Sequence, residues 1–294
     1  MKRRLIDRIQ DRAWREVGGI LATKPEIRED GGAAGREASV SGTMDWVELC
    51  SEFGEGRLGS RNFRRISGVR DVVETVGPVD GSFYAGRVRQ WAPEWLQNSK
   101  VHEIDSWGQP IKWPGFLLGA GRSFSPTTLR YLATALWLKK EGYVTQGSEI
   151  IEIGVGFGGL AAMNGLISDV VTHLVDLPPV ERAAMRMLDE HELGKFGRHS
   201  SDQEISSDAA IISNYAFTEL NKAAQEEYFE RYIRKSKHGA IVSNSDIFAS
   251  SIQGRTNDEL LEWFQKGGLP ARIERTNDLL GPGDDLCRVC MIRW

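Results

Sequence analysis

The sequence predicts a doubly wound α/β fold, built on a mostly parallel sheet of seven strands whose last strand is antiparallel. Short apolar runs alternate with helical patterns through the second half of the 294-residue chain, and a glycine-rich loop follows the first run. Such short, continuous apolar runs are typical of strands that are buried on both faces of a parallel sheet. The chain then ends on two runs without a helical pattern between them, which favours a final antiparallel hairpin.

The first 122 residues are predicted to form a mainly helical N-terminal region that binds the substrate, here called the cap region. Apolar residues at helical spacing indicate a helix within residues 1–29. The segment 30–43 is rich in Gly, Ala and Ser, which favours a flexible linker or mobile loop. From about 44 to 122, Gly and Pro interrupt short helical pieces. No fold follows from the pattern in this part of the chain.

Residues 123–294 are predicted to form the sheet domain. A helix should begin at Pro126, with Ser125 as its N-cap, and end at Gly142. Strands are expected at 149–153, 171–175, 209–213 and 240–243, with a weaker one near 195–199. Helices are expected at 158–166, 179–192, 218–235 and 257–266. The hairpin strands are expected at 271–276 and 287–294, without an intervening helix.

Charge and composition narrow the class of protein. The 37 Lys and Arg residues and 41 Asp and Glu residues give a net charge of −4, which argues against a protein that binds nucleic-acid phosphates. No apolar stretch approaches the ~20 residues that cross a bilayer, and the N-terminus lacks the apolar core of a signal peptide. Three cysteines are too few for a disulfide framework. These features predict a cytoplasmic protein.

A glycine-rich loop at residues 152–159, Glu-Ile-Gly-Val-Gly-Phe-Gly-Gly, lies between the first strand of the sheet and the next helix. Glycines allow a tight turn and a close approach of a ligand, and the start of the helix offers N–H groups. Gly154, Gly156 and Gly159 also satisfy the dinucleotide pattern G-x-G-x-x-G. Asp176, at the end of the second strand, can accept hydrogen bonds from both ribose hydroxyls. The loop therefore predicts a nucleotide-like ligand.

Glu152 precedes the first glycine by two residues, and the resulting E-x-G-x-G-x-G resembles the first motif of class I S-adenosylmethionine-dependent methyltransferases. A carboxylate at this position would repel a pyrophosphate but suits the ammonium group of a methionine moiety. Residues 175–178, Val-Asp-Leu-Pro, resemble the acidic loop of these enzymes. Residues 213–220, SNYAFTEL, and 125–132, SPTTLRYL, resemble segments of a sugar O-methyltransferase family found in polysaccharide and natural-product gene clusters.

The general resemblance covers about residues 123–294, and the resemblance to the sugar O-methyltransferases extends back to about residue 98. It implies a Rossmann-like fold that binds S-adenosylmethionine and methylates a hydroxyl of a sugar or a glycosylated small molecule. The carboxyl ends of the strands should face the cofactor. The residues expected to bind it are Glu152, Gly154, Gly156, Gly158, Asp176, Leu177, Asp202, Asn214 and Tyr215.

An alcohol acceptor needs a base or a metal ion to take its proton. His102, which is followed by the carboxylates of Glu103 and Asp105, and Glu219, which follows the fourth strand, are the candidate bases. A surface histidine and a glutamate at a helix start are the alternative interpretations. Residues 244–246, Asn-Ser-Asp, could supply oxygen ligands to Mg²⁺, although loop capping is the preferred explanation. Cys287 and Cys290 lack the second pair that a zinc site requires.

Three other functions stay open. The glycine pattern also fits an NAD(P)-dependent oxidoreductase. Asn214-Tyr215 is similar to the Asn-Pro-Pro-Tyr signature of amine and nucleic-acid N-methyltransferases, but both prolines are missing. A non-catalytic binding module is the third alternative. We expect residues 91–125 to bind a small sugar-containing acceptor. We expect neither a nucleic acid nor a membrane as a partner. The sequence leaves open whether the protein forms a homo-oligomer.

Overall fold

A seven-stranded sheet lies at the centre of the computed structural model, which describes residues 45–200, 206, 208–286 and 289–294. The spatial order of the strands is β3-β2-β1-β4-β5-β7-β6. Strands β1 to β5 run parallel, and β7 is antiparallel to both β5 and β6. The strands are β1 Glu149–Ile153, β2 Val171–Val175, β3 Gly197–His199, β4 Ala210–Asn214, β5 Gly239–Ser243, β6 Arg272–Glu274 and β7 Cys290–Arg293. Six parallel strands and one reversed strand confirm the predicted fold class.

Helices flank the sheet and also form the described part of the cap region. Those of the cap region are α1 Trp46–Gly54, α2 Ser67–Val73, α3 Pro78–Trp91, α4 Ser99–Ser106 and α5 Gly115–Leu118. Those that follow are α6 Pro126–Lys140, α7 Gly159–Ser168, α8 Pro178–Glu190, α9 Lys222–Arg231, α10 Ser245–Phe248, α11 Asn257–Lys266 and α12 Pro282–Leu286. None of the helices in the described ranges has the length and hydrophobicity that a bilayer crossing requires.

Two details of the predicted elements were wrong. The helix expected at 218–235 is divided into a 3-10 turn at Ala216–Glu219, helix α9 and a second 3-10 turn at Ile233–Lys235. Asn221 starts α9 afresh, because its side-chain oxygen accepts the Ala224 N–H at 3.0 Å as an N-cap. The connection between β6 and β7 contains the short helix α12, which begins at a proline, a residue preorganised for the first helical position.

The apolar core of the cap region is continuous with that of the sheet domain. Buried residues from α1 to α4 belong to the same cluster as those of α6, α7 and α8. Helix α1 packs on α8, where Arg186 donates to the carbonyl oxygens of Phe53 and, at 3.1 Å, Leu58. Helix α3 packs against α6. The described part of the cap region is thus built onto one face of the sheet domain.

A buried ion pair fixes the cap region against the start of α6. The Arg64 side chain is fully buried and pairs with Glu74 at 2.5 Å. Arg64 also donates to the Ser125 hydroxyl at 3.1 Å, and that hydroxyl donates to the second Glu74 oxygen at 2.8 Å. The guanidinium lies 4.3 Å from the centre of the Phe157 ring, in the glycine-rich loop. The network therefore links residues 64–74, the N-cap of α6 and the loop after β1.

Three predicted features lie outside the described residues. These are the helix expected within residues 1–29, the linker expected at 30–43 and the cofactor contact expected from Asp202.

Candidate active site

The glycine-rich loop turns sharply at the carboxyl end of β1. Gly154, Gly156 and Gly158 have φ angles of +84°, +54° and +83°, in the region that side chains with a Cβ rarely adopt. A Cβ at Gly154 would lie only 2.0 Å from the Cβ of Ala216, so this position also lacks the space for a side chain. Helix α7 begins directly after the loop and turns its N-terminal N–H groups toward the carboxyl edge of the sheet.

Glu152 lies beside this loop as a buried carboxyl group with an unsatisfied oxygen. Its side chain is 3% exposed, and Oε2 has no hydrogen-bond partner. Burial, together with the negative charge of Asp176, raises the pKa of Glu152 well above its ordinary value. Burying an unpaired carboxylate is costly, and a bound cation would offset that cost. The predicted contact between Glu152 and an ammonium group fits this environment.

Asp176 follows β2 and is held by the backbone of two loops. Its Oδ2 accepts the Val155 N–H at 2.9 Å, and its Oδ1 accepts the Leu177 N–H at 2.8 Å. Burial raises the pKa of Asp176 to about 6, against the lowering effect of these N–H groups. Each carboxylate oxygen keeps a further lone pair, so both can accept a hydroxyl donor. Leu177 is partly buried and precedes α8 as its N-cap.

Tyr215 follows β4 in a strained backbone conformation. Its φ of +72° and ψ of −40° are unusual for a residue with a side chain, and such strain is typical of functional sites. The Tyr215 N–H donates to the Val242 carbonyl at 2.9 Å, and the phenol donates to Asp284 at 2.9 Å. Asn214 ends β4 and is partly exposed. Both residues therefore lie at the same sheet edge as the glycine-rich loop.

Glu219 is positioned by the end of β5. The Asn244 amide donates to Glu219 Oε1 at 2.7 Å, and the Thr218 hydroxyl donates to the Asn244 oxygen at 2.8 Å. Burial raises the pKa of Glu219, although the Asn244 hydrogen bond and the charge of Arg130 act in the opposite direction. A carboxylate held in place with a raised pKa is suited to take a proton near neutral pH.

The other polar residues after β5 serve the local backbone. Asp246 accepts the Asn257 N–H at 2.9 Å, at the start of α11. The Ser245 hydroxyl donates to the Arg255 carbonyl. Within the described ranges, no group of three or more His, Cys, Asp or Glu side chains could hold a metal ion. These contacts favour loop capping over Mg²⁺ binding for residues 244–246.

His102 occupies a different environment from Glu219. Its Nε2 lies 3.0 Å from the Leu96 carbonyl oxygen, and its ring stacks on Phe124 with 4.7 Å between ring centres. Burial lowers the pKa of His102 below its ordinary value. Among the described residues, no hydrogen bond, ion pair or ring contact joins His102 to Glu219. The structure therefore brings Glu219, but not His102, into contact with the residues at the strand ends.

Arg130 is a residue of this site that sequence reasoning missed. It lies on α6, is 9% exposed, and its Nε has no hydrogen-bond partner. Its guanidinium carbon lies 5.4 Å from the centre of the Tyr215 ring and 5.6 Å from that of Tyr131. A single charged residue inside the apolar run Leu129 to Leu132 was the signal in the sequence that could have revealed it.

Comparisons with known proteins give distant matches. No protein-family model and no curated protein matches the chain. Phosphoethanolamine N-methyltransferase 2 of Haemonchus contortus, solved with S-adenosyl-L-methionine, is 17% identical over 49% of this chain and 38% of its own, with a TM-score of 0.40. This chain thus spans well under half the length of that protein.

Two further solved structures match at similar levels. Geranyl diphosphate C-methyltransferase of Streptomyces coelicolor A3(2) is 11% identical over 70% of this chain and 96% of its own, with a TM-score of 0.43. An O-methyltransferase family protein of Burkholderia thailandensis is 14% identical over 71% of each chain, with a TM-score of 0.37. All three proteins are methyltransferases. The sheet described here, six parallel strands and one reversed strand between helices, has the Rossmann-like fold.

Proposed function

We propose that this protein is an S-adenosylmethionine-dependent O-methyltransferase that acts on a hydroxyl of a sugar or a glycosylated small molecule. The observation that best supports the proposal is the unpaired, buried Glu152 oxygen beside a loop of three glycines with positive φ. A buried carboxyl group without a hydrogen-bond partner favours contact with a cation, and the ammonium group of the methionine moiety is such a cation.

The charges at the loop favour this cofactor over a dinucleotide. Glu152 and Asp176 are close enough for the charge of Asp176 to raise the pKa of Glu152. A pyrophosphate would add negative charge next to Glu152, whereas S-adenosylmethionine carries an ammonium and a sulfonium. A carboxylate in the place of Asp176 suits the ribose of either ligand. The glycine pattern fits both ligands, and Glu152 is the residue that favours S-adenosylmethionine.

The residues at the sheet edge have separate roles in this proposal. Glu152 binds the ammonium group, and Asp176 accepts hydrogen bonds from the ribose hydroxyls. The N–H groups at the start of α7 and the glycines of the loop let the ligand approach the backbone. When bound, the cofactor supplies a methyl group on a positively charged sulfur.

Glu219 is the base that we propose for the acceptor hydroxyl. Asn244 holds Oε1, which leaves the other carboxylate oxygen to take the proton. Because burial raises its pKa, Glu219 accepts a proton more readily than an exposed carboxylate does. A hydroxyl needs this help more than an amine does, and an oriented carboxylate therefore supports oxygen as the methylated atom.

Residues 91–125 are proposed to bind the acceptor. Phe116 is 83% exposed, and Trp113 is half-buried and pairs through its backbone with Phe124, the residue before the N-cap of α6. Aromatic side chains are common in small-molecule sites, where they contact the apolar face of a ligand. Trp107 is fully buried and stacks on His191, which assigns it to the core.

Ligand binding and turnover test the proposal separately. Calorimetry should detect S-adenosylhomocysteine binding and no NAD(H) binding. Incubation with S-adenosylmethionine and a panel of sugar nucleotides and glycosylated metabolites should give a product one methyl group heavier by mass spectrometry. Retention of NAD(H) without affinity for S-adenosylhomocysteine would overturn the assignment.

The two candidate bases can be compared by matched variants. Glu219→Gln keeps an oxygen for the Asn244 amide but cannot take a proton, so turnover should fall by ~10²–10⁴-fold while cofactor affinity is unchanged. His102→Ala should leave turnover close to that of the native protein. The opposite result would transfer the role of base to His102.

A further inference from the structure

We propose that Arg130 binds the carboxylate of the methionine moiety, so that the amino-acid end of the cofactor is held between Arg130 and Glu152. This inference rests on the proposed function and adds a ligand contact to the same site. The burial of Arg130, the absence of a direct ion pair to it among the described residues and its place between two elements at the sheet edge support this contact.

Arg130 is a buried cation that forms no direct ion pair with a described side chain. It is 9% exposed, and its Nε is buried without a hydrogen-bond partner. A guanidinium stays charged at every physiological pH. Among the side chains that the structure describes, none forms an ion pair with Arg130 within 4.0 Å. A buried charge without a direct ion pair is unfavourable, and a bound carboxylate would supply the direct contact that the more distant carboxyl groups of Asp80, Asp284 and Glu219 do not make.

Arg64, a second buried arginine that contacts α6, shows the contrast. It pairs with Glu74 at 2.5 Å and donates to the Ser125 hydroxyl at 3.1 Å. Its charge is therefore matched within the protein. Arg130 forms no such ion pair among the described residues, and its guanidinium carbon lies 5.4 and 5.6 Å from the ring centres of Tyr215 and Tyr131.

The position of Arg130 lies between the glycine-rich loop and the end of β4. Its neighbour Tyr131 borders the loop, because a Cβ at Gly156 would come within 3.6 Å of the Tyr131 hydroxyl. The Arg130 guanidinium faces the Tyr215 ring, directly after β4. A ligand whose ammonium meets Glu152 at the end of β1 would extend its carboxylate along this same edge.

The surrounding charge favours the cofactor over an anionic acceptor as the ligand. Asp80, Asp284 and Glu219 are close enough for the charge of Arg130 to counteract the rise in pKa that burial causes in each. Three carboxyl groups around one guanidinium repel a ligand with net negative charge. S-adenosylmethionine has a net positive charge, so its carboxylate can reach Arg130 with less electrostatic repulsion than an acceptor of net negative charge would meet.

Three ligands that differ only at the amino-acid end test the proposal. S-adenosylhomocysteine has both groups, S-adenosyl-3-thiopropylamine has the ammonium alone, and 5′-methylthioadenosine has neither. Arg130→Met should weaken S-adenosylhomocysteine binding by roughly 10–100-fold and leave the other two affinities unchanged, because only the first ligand has the carboxylate. Arg130→Lys should restore part of the loss, since it keeps the charge but not the fork of donors.

Glu152→Gln is the matched variant for the ammonium group. It should weaken S-adenosylhomocysteine and S-adenosyl-3-thiopropylamine and leave 5′-methylthioadenosine unchanged. An equal loss for all three ligands in Arg130→Met would show a structural role and overturn the proposal. Unchanged affinity for all three would place Arg130 outside the cofactor site and overturn it as well. If the native protein binds none of the three ligands, the proposed function itself has failed.

Discussion

Asp176 makes nucleoside binding dependent on pH in the proposed site. Its pKa of about 6 lies above the ordinary value of 3.8, so the carboxyl group is protonated when the pH falls below about 6. Ribose hydroxyls donate most strongly to the ionised form. The ionised share of the free protein falls from about 97% at pH 7.5 to about 9% at pH 5.0. If the ionised form is the one that binds, affinity should fall about tenfold over this range.

The sign of proton exchange provides a second measurement. Because the ligand favours the ionised carboxylate, binding at pH 5.5 should release about 0.8 proton per ligand. Calorimetry of 5′-methylthioadenosine in buffers of different ionisation enthalpy measures both the affinity and the proton release. This ligand lacks the ammonium group, so Glu152 contributes little to the profile. Asp176→Asn is the control, with weaker binding and a flat profile.

Two results would refute this reasoning about Asp176. One is an affinity of the native protein that does not change between pH 7.5 and 5.0. The other is an unchanged pH profile in Asp176→Asn, which would assign the titration to a different group.

Three further predictions concern the fold. Gly154→Ala should lower the free energy of unfolding by about 2–4 kcal/mol, because its Cβ would overlap that of Ala216 at a positive φ; urea denaturation measures this, and an unchanged midpoint would contradict it. Arg64→Met should lower the free energy of unfolding by about 3–5 kcal/mol, because Glu74 stays buried without its partner. In the same assay, the double variant with Glu74→Leu should recover part of this loss. A shortened chain that begins at Ser123 should lack cooperative unfolding, since it loses about a third of the buried residues of a continuous core; a sigmoidal transition by circular dichroism would disprove this.

Local patterns were sufficient to predict much of the sheet domain. Strands β1 and β2 have the expected bounds because each is a short apolar run that ends at a glycine or an aspartate. Helix α11 also has its expected bounds, since Thr256 and Glu259 form a capping box at its start. The prediction of a single helix over 218–235 was wrong because one amphipathic pattern can belong to one helix or to several shorter ones. The N-cap at Asn221 determines where the shorter helix begins.

The candidate site, like the fold, was only partly predictable from the sequence. Glu152 and Asp176 could be proposed as binding residues from the sequence, because each has a fixed place at the end of a strand beside the glycine-rich loop. The contact of Arg130 with the Tyr215 ring and the hydrogen bond between Asn244 and Glu219 join elements that are far apart in the chain. Such pairs depend on how helices pack on the sheet, and spacing along one segment does not contain that information.

The ion pair of Arg64 and Glu74 has a consequence for how proteins of this kind could diversify. It joins the cap region to the N-cap of α6, and the apolar core continues across the same boundary. A segment embedded in this way cannot be exchanged as a module without exposing its neighbours. New acceptor preferences would therefore arise by single substitutions within a fixed framework. Because folded proteins are only marginally stable, such a substitution would be retained only if it does not destabilise the core that the cap region shares with the sheet domain.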